Sequence, residues 1–201
     1  MSEDRVLNLP EPEYESETSI EEALGERRSV RTFTGESLTI EELGQMLWAS
    51  QGITDPEGYR TAPSAGALYP LEVYAVVRRV DGLHAGVYLY VPEGHALHRT
   101  IEGDITQELR TAALSQTQVG DAAANIVICA IPERTTRKYG DRGIRYVQME
   151  AGHAAQNIYL QAVALDLGTV SIGAFEDAEV GRILNLSQGE IPLYIMPVGR
   201  R

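Results

Sequence analysis

An α+β fold built on a mainly antiparallel sheet is what this sequence predicts, and three features point to it. A run rich in Val and Tyr at 71–80 and further strand-like runs at 86–91 and 96–101 are separated by turn-like breaks at Val80-Asp81-Gly82 and Glu93-Gly94. That spacing suits a meander of hairpins better than repeated βαβ units. The stretch Asn125 to Ile131 is apolar without alternation, as expected of a strand covered on both faces. A helical pattern from about Arg142 to Leu167 then supplies the longest helix. At 201 residues the chain suits one domain with a sizeable core.

The elements follow in order. Residues 1–18, with Pro10, Pro12 and five glutamates, read as an acidic extended arm, leaving 19–201 as the folded domain. Ser19 with Glu22 forms a capping-box pattern, and Ile20, Ala23, Leu24 and Arg27 share the face of a first helix that delivers Arg27-Arg28-Ser29-Val30-Arg31 at its end. Thr39 with Glu42 caps a second helix, which carries Ile40, Leu43, Met46 and Leu47 as its stripe and stops at Gly52. A loop with Pro63, Gly66 and Pro70 precedes the meander. Asp104 caps a helix to about Leu114, and Cys129 falls in the core of the apolar strand. On the long helix, Tyr146, Met149, His153, Gln156, Leu160, Val163 and Leu167 fall on one face, with Gly168 as its C-cap. A strand at 169–174, a helix from Asp177 to Leu184 and a strand at 193–198 complete the chain.

Charge and composition narrow the function. A net charge of −12 cannot build the broad basic face that nucleic acid requires. No apolar run approaches the roughly 18 residues of a membrane span, and no secretory signal opens the chain, so a cytoplasmic protein is expected. A metal site is not expected, because His153 lacks a second ligand at suitable spacing and reads as a packing residue.

Against this acidic background, three guanidiniums within Arg27 to Arg31 make a focused anion site suited to a phosphate monoester. The same cluster also suits a solvated helix end, where cations complement the carbonyl dipole. Pro63, Ser64, Ala65 and Gly66 form a loop of small residues that lets backbone approach a flat ligand, or an ordinary turn before a strand. Sixteen of the seventeen basic residues are arginine, and Lys138 is the only lysine. A position that needs a deprotonatable amine cannot use arginine, although KYGDRG also reads as a polar turn before a helix.

Four ordered blocks resemble the nitroreductase family of flavoenzymes, and specifically its SagB-type branch. They are RRSVRTF at 27–33, RTAPSAGALYPLEVYAVV at 60–77, KYGDRGIRYVQMEAGHAAQNIYLQA at 138–162 and VSIGAFEDAEV at 170–180. The resemblance implies a homodimer with two FMN sites at the interface and the long helix at the dimer contact. It gives Arg27, Arg28, Ser29 and Arg31 to the flavin phosphate and polar edge, and Pro63 to Gly66 to the isoalloxazine of the partner subunit. It places Gly173 and Ala174 beside flavin N5, and adds Gln116 as a polar contact and Arg200 at the phosphate. The chain ends without the long tail that many family members wrap around a partner.

No Gly-x-Gly-x-x-Gly unit is present, so NAD(P)H is expected as a transient co-substrate, with FMN resident. Lys138-Tyr139 resembles the acid/base pair of SagB-like azoline dehydrogenases. The expected function is hydride transfer through flavin N5, driven by NAD(P)H, to a small nitro or quinone acceptor. Azoline oxidation in peptide modification is the alternative, and non-catalytic flavin binding a further one.

Overall fold

The computed structural model describes residues 6–201. Its seven strands are β1 (Val6–Asn8), β2 (Leu71–Val77), β3 (Gly86–Val91), β4 (Ala96–Glu102), β5 (Ala124–Ala130), β6 (Leu167–Thr169) and β7 (Ile191–Arg200). They form one sheet in the order β1-β4-β3-β2-β5-β7-β6, with every neighbouring pair antiparallel. The expected meander is β2-β3-β4, and the apolar run at 124–130 is a central strand, paired on both sides.

Alternation along these strands feeds two cores. Val73, Ala75 and Val77 of β2, with Ile126 and Ile128 of β5, face α2 (Ile40–Gln51) and α6 (Arg142–Ala164). Tyr74, Val76, Val127 and Cys129 point the other way, against α3 (Thr106–Ala112), α4 (Thr117–Asp121) and α7 (Asp177–Ile183). Full burial of each such side chain contributes roughly 1.5–3 kcal/mol, and a slip of one residue would send every side chain of a strand to the opposite face. Both faces being covered explains why β5 carries no polar alternation.

Several expectations are corrected. The first helix, α1 (Ile20–Glu26), stops before the arginine cluster, because Arg27 leaves helical geometry at φ −50°, ψ 121°. Helix α6 ends at Ala164, and Asp166 at φ 54° makes the left-handed turn assigned to Gly168, which lies inside β6. The buried face of α6 consists of Val147, Ala151, Ala154, Ile158 and Ala162, while Met149 and His153 are exposed. Small alanines beside Val147 and Ile158 let the helix lie close to the sheet; of the expected face Val163 is buried, whereas Met149 and His153 face outward from this chain, and His153 is not packed within it. The strand expected at 169–174 spans Leu167–Thr169, followed by a single bridge between Ile172 and Ile195. Helices α4 and α5 (Glu133–Tyr139) are too short for periodicity to show.

The acidic arm is tied to the body from residue 6 onward. Strand β1 pairs with β4, Leu9 is buried, and the Glu13 amide donates to Gln45 Oε1 at 2.9 Å.

Candidate active site

Two facing glycines position the arginine cluster. Gly168 of β6 pairs in register with Gly199 of β7, and a Cβ on either would strike the segment above: Val30 Cγ1 at 2.6 Å from Gly168, Phe33 Cγ at 2.8 Å from Gly199. Val30 and Phe33 therefore rest on bare backbone, and the Val30 amide donates to Thr169 O at 2.9 Å. This anchoring turns Arg27 and Ser29 toward Tyr159 on α6. The Arg27 guanidinium lies 5.3 Å from the Tyr159 ring centre, and Ser29 Oγ is 3.2 Å from the phenol oxygen. The Ser171 amide donates to the same oxygen at 2.8 Å. Burial works to raise the Tyr159 pKa, but the hydrogen bonds from Ser171 and Ser29 and the Arg27 charge outweigh it and hold the phenol below its usual value.

Arg27, Arg28 and Arg31 have no carboxylate partner among the described residues. Arg28 folds back, donating from Nη1 to Gly25 O at 3.0 Å and Arg27 O at 2.7 Å. Arg200 differs: its guanidinium is engaged by Glu42 at 2.9 Å and Glu36 at 3.9 Å.

A second part of the site joins segments far apart in sequence. Gln116 donates from Nε2 to Ala113 O at 3.0 Å and to Ala174 O at 2.9 Å. Leu114 and Ser115, both left-handed at φ 56° and 60°, turn the chain so that Gln116 reaches it. Gly173 and Ala174 are exposed, and neither amide donates a hydrogen bond among the described residues. They offer two fixed N–H donors at the surface.

The third part is the small-residue loop. Ser64 Oγ accepts from the Tyr69 amide at 2.9 Å, and Gly66 takes φ 67°. A Cβ at Gly66 would lie 2.8 Å from the Tyr139 hydroxyl and 2.9 Å from Lys138 Nζ, so the last turn of α5 presses against this loop. Tyr139 stacks edge-on against Tyr146 of α6 at 5.1 Å. Pro63 and Ala65 complete the loop.

Beneath it lies Glu150, 2% exposed, with one carboxyl oxygen unpartnered. Burial raises its pKa to about 7 against the opposing effects of Ser64 and Arg60. A raised carboxyl pKa means the folded chain binds more protons than the unfolded chain between about pH 4.5 and 7, so stability falls as pH rises through that window. Glu150→Gln is expected to flatten the dependence of Tm on pH there. At pH 8 the variant should gain up to about 3.5 kcal/mol, from the rise of the carboxyl from 4.5 to about 7 at about 1.4 kcal/mol per pKa unit. A Tm profile parallel to that of the parent would show that Glu150 ionises normally.

These parts do not form one compact pocket on a single chain. Tyr146 and Tyr159, which mark the loop side and the arginine side, are thirteen residues apart on α6, about 20 Å at 1.5 Å per residue. A cleft of about 630 Å³ lies under the arm, but Glu13, Glu15 and Glu17 line it and would repel a phosphate. A second cleft, of about 450 Å³, adjoins Tyr69, Arg60 and Arg134.

Comparison with known proteins gives these parts a context. The sequence model described as Nitroreductase family matches residues 24–200. The chain belongs to the nitroreductase family. A protein of Methanocaldococcus jannaschii named as a nitroreductase is 49% identical over 201 residues, covering 100% of this chain and 99% of its own. The microcin B17-processing protein McbC of Escherichia coli is 30% identical over 169 residues, 81% of this chain but 62% of McbC. A crystal structure from Ralstonia eutropha described as a nitroreductase superposes with a TM-score of 0.85 at 26% identity, over 98% of this chain and 89% of that one. The protein is accordingly an oxidoreductase, and no helix among the described residues is long and apolar enough to cross a membrane.

Within this nitroreductase fold, the sequence reading missed Tyr159, Ser171 and Glu150. Glu150 carries a legible signal, since it falls on the same helical face as Val147, Ala151 and Ala154, where a carboxylate is out of place. Tyr159 and Ser171 carry none, because their role depends on Ser29 arriving from 130 residues away.

Proposed function

We propose that this nitroreductase-family enzyme is an FMN-dependent homodimer that moves hydride from NAD(P)H to a small nitro or quinone acceptor, each flavin being held across two chains. The observation that carries this reading is the separation of two complementary half-sites along α6. The stretch between them is open: Gln148, Met149, Gly152 and His153 are exposed, Met149 at 53%, and nothing lies within 4 Å of a Cβ built on Gly152. Gly152 falls midway between Tyr146 and Tyr159. Two copies of α6 crossing antiparallel there would bring the Arg27–Tyr159 side of one chain beside the Gly66–Lys138 side of its partner.

The residues fit the cofactor. Arg27 and Arg31, with no carboxylate partner among the described residues, suit the phosphate, with Arg28 and Ser29 at the polar edge. The small-residue loop Ser64-Ala65-Gly66, bounded at Gly66 by Tyr139 and Lys138, suits a flat ring, and the amides of Gly173 and Ala174, which donate to nothing among the described residues, can donate to its edge. Gln116 fixes the carbonyl of Ala174 and so orients the following peptide. When bound, FMN supplies a ring that accepts and returns hydride at N5. The purified protein should be yellow, bleach on anaerobic mixing with NADH or NADPH, and recover colour with a quinone. A colourless protein that ignores added FMN would defeat the reading.

Lys138 and Tyr139, pressed against Gly66, favour a second reading: acid/base work during azoline oxidation, in keeping with the similarity to McbC. General acid–base groups contribute about 10²–10⁴-fold. On this reading Lys138→Ala lowers turnover of an azoline-bearing peptide by about that factor, with flavin content unchanged and NADH–quinone activity within about twofold. Equal loss of both activities would assign Lys138 to positioning the loop instead.

A further inference from the structure

We propose that the cleft beside Tyr69 is a subsite for a carboxylate carried by the electron-accepting substrate, with Arg60 as its anchor; this rests on the flavin reading above. The cleft's volume of about 450 Å³ lies within the ~300–1,000 Å³ range of small-molecule sites. Apolar residues of β2 and β3, among them Leu71, Val73 and Leu89, line it together with the polar Gln51, Arg60, Glu72, Glu93 and Arg134.

Arg60 is held but not saturated. Its guanidinium stacks 4.5 Å from the centre of the Tyr69 ring and donates from Nη1 to Gln51 Oε1 at 3.0 Å. Nε donates to nothing among the described residues. The same is true of Nε2 of Gln51, a side chain only 1% exposed. Two buried donors without acceptors, both on residues that line a cleft, call for an acceptor ligand.

Arg60 also acts on the buried Glu150, but its ion-pair partner among the described residues, Glu93, is replaceable. Glu93 pairs with Nη2 at 3.3 Å through a side chain 66% exposed, where solvent screens the attraction. A ligand carboxylate gripped by the planar guanidinium competes well with it. Arg134, the other arginine of the cleft, is committed to Glu72 and to the Tyr69 carbonyl, which leaves Arg60 as the anion receptor.

The cleft also communicates with the chemistry. Tyr69 follows Gly66 by three residues on one loop, and Arg134 stands one turn of α5 before Lys138, whose Nζ reaches the Gly66 side of that loop. Left-handed backbone at Tyr69 (φ 43°), with Ala67 (φ 52°) two residues before it, is strained and is retained where the loop meets the cleft.

Steady-state kinetics of the flavin-loaded protein with 4-nitrobenzoate and the isosteric neutral 4-nitrobenzamide test this. The carboxylate is expected to show a KM about tenfold lower at similar kcat, and Arg60→Met should erase the difference. Glu93→Gln, an exposed change, should lower the KM for 4-nitrobenzoate about two- to threefold and leave that for the amide alone. Equal KM values in the parent, a preference that survives Arg60→Met, or indifference to Glu93→Gln would overturn the subsite. NADH-driven menadione reduction, assayed in parallel, separates the failures: its absence in the parent refutes the flavin reading, whereas its presence with equal nitro-substrate KM values refutes the subsite alone.

Discussion

Arg27→Ala is expected to weaken FMN binding by about 10- to 100-fold and to yield protein that loses its colour on desalting. The magnitude follows from one hydrogen bond to a charged group, about 1.5–3 kcal/mol, at about 1.4 kcal/mol per factor of ten. Arg27 is stacked on Tyr159, has no carboxylate partner among the described residues, and precedes a segment locked onto β6. Arg28, folded back onto its own backbone, should cost less when truncated. Arg27→Lys should recover only part of the loss, because a point charge can neither stack on the ring nor grip two oxygens. Fluorescence titration with FMN measures all three, and an unchanged affinity for Arg27→Ala would move the phosphate elsewhere.

Gly168→Val should destabilise the fold by about 3 kcal/mol, at the upper end of overpacking costs, which lowers Tm by about 6–12 °C for a chain of this size. The new Cβ would arrive 2.6 Å from Val30 Cγ1 and 2.9 Å from Val30 Cβ. Val30 cannot swing aside, since a β-branched side chain is stiff at χ1 and its amide is bonded to Thr169. Flavin retention should fall with stability, because the same contact sets the position of Arg27 and Ser29. Adding Val30→Ala should restore much of both, and that recovery distinguishes a local clash from general damage to β6. A single Gly168→Val variant as stable as its parent would show that the arginine segment is free to lift from the sheet.

How far the sequence speaks for itself varies by element. The β2-β3-β4 meander is legible because Val80-Asp81-Gly82 and Glu93-Gly94 break it where the chain turns, and β5 because its uniform apolarity demands cover on both faces. The inward face of α6 is not, since Ala151, Ala154 and Ala162 do the packing and the conspicuous Met149 faces out. Gly168 reads as a helix stop until Val30 is placed above it. Within the candidate site, individual residues are legible while their partners are not. Glu42 reaches Arg200 across 158 residues and Tyr159 reaches Ser29 across 130, distances over which no local pattern operates.

The central claim, one flavin held by two chains, is tested most directly by complementation between half-site variants. Arg27→Ala damages the phosphate half, and Gly66→Val fills the ring half against Tyr139 and Lys138, so each homodimer should be depleted of flavin. In the heterodimer of the two, one site combines both lesions and the other combines two intact halves. Co-expression with separate affinity tags and purification through both isolates that species. The account predicts one FMN per heterodimer, with quinone reductase activity restored to about half that of the parent. A heterodimer as flavin-poor as either homodimer would mean that each site is built within a single chain, and would contradict the account.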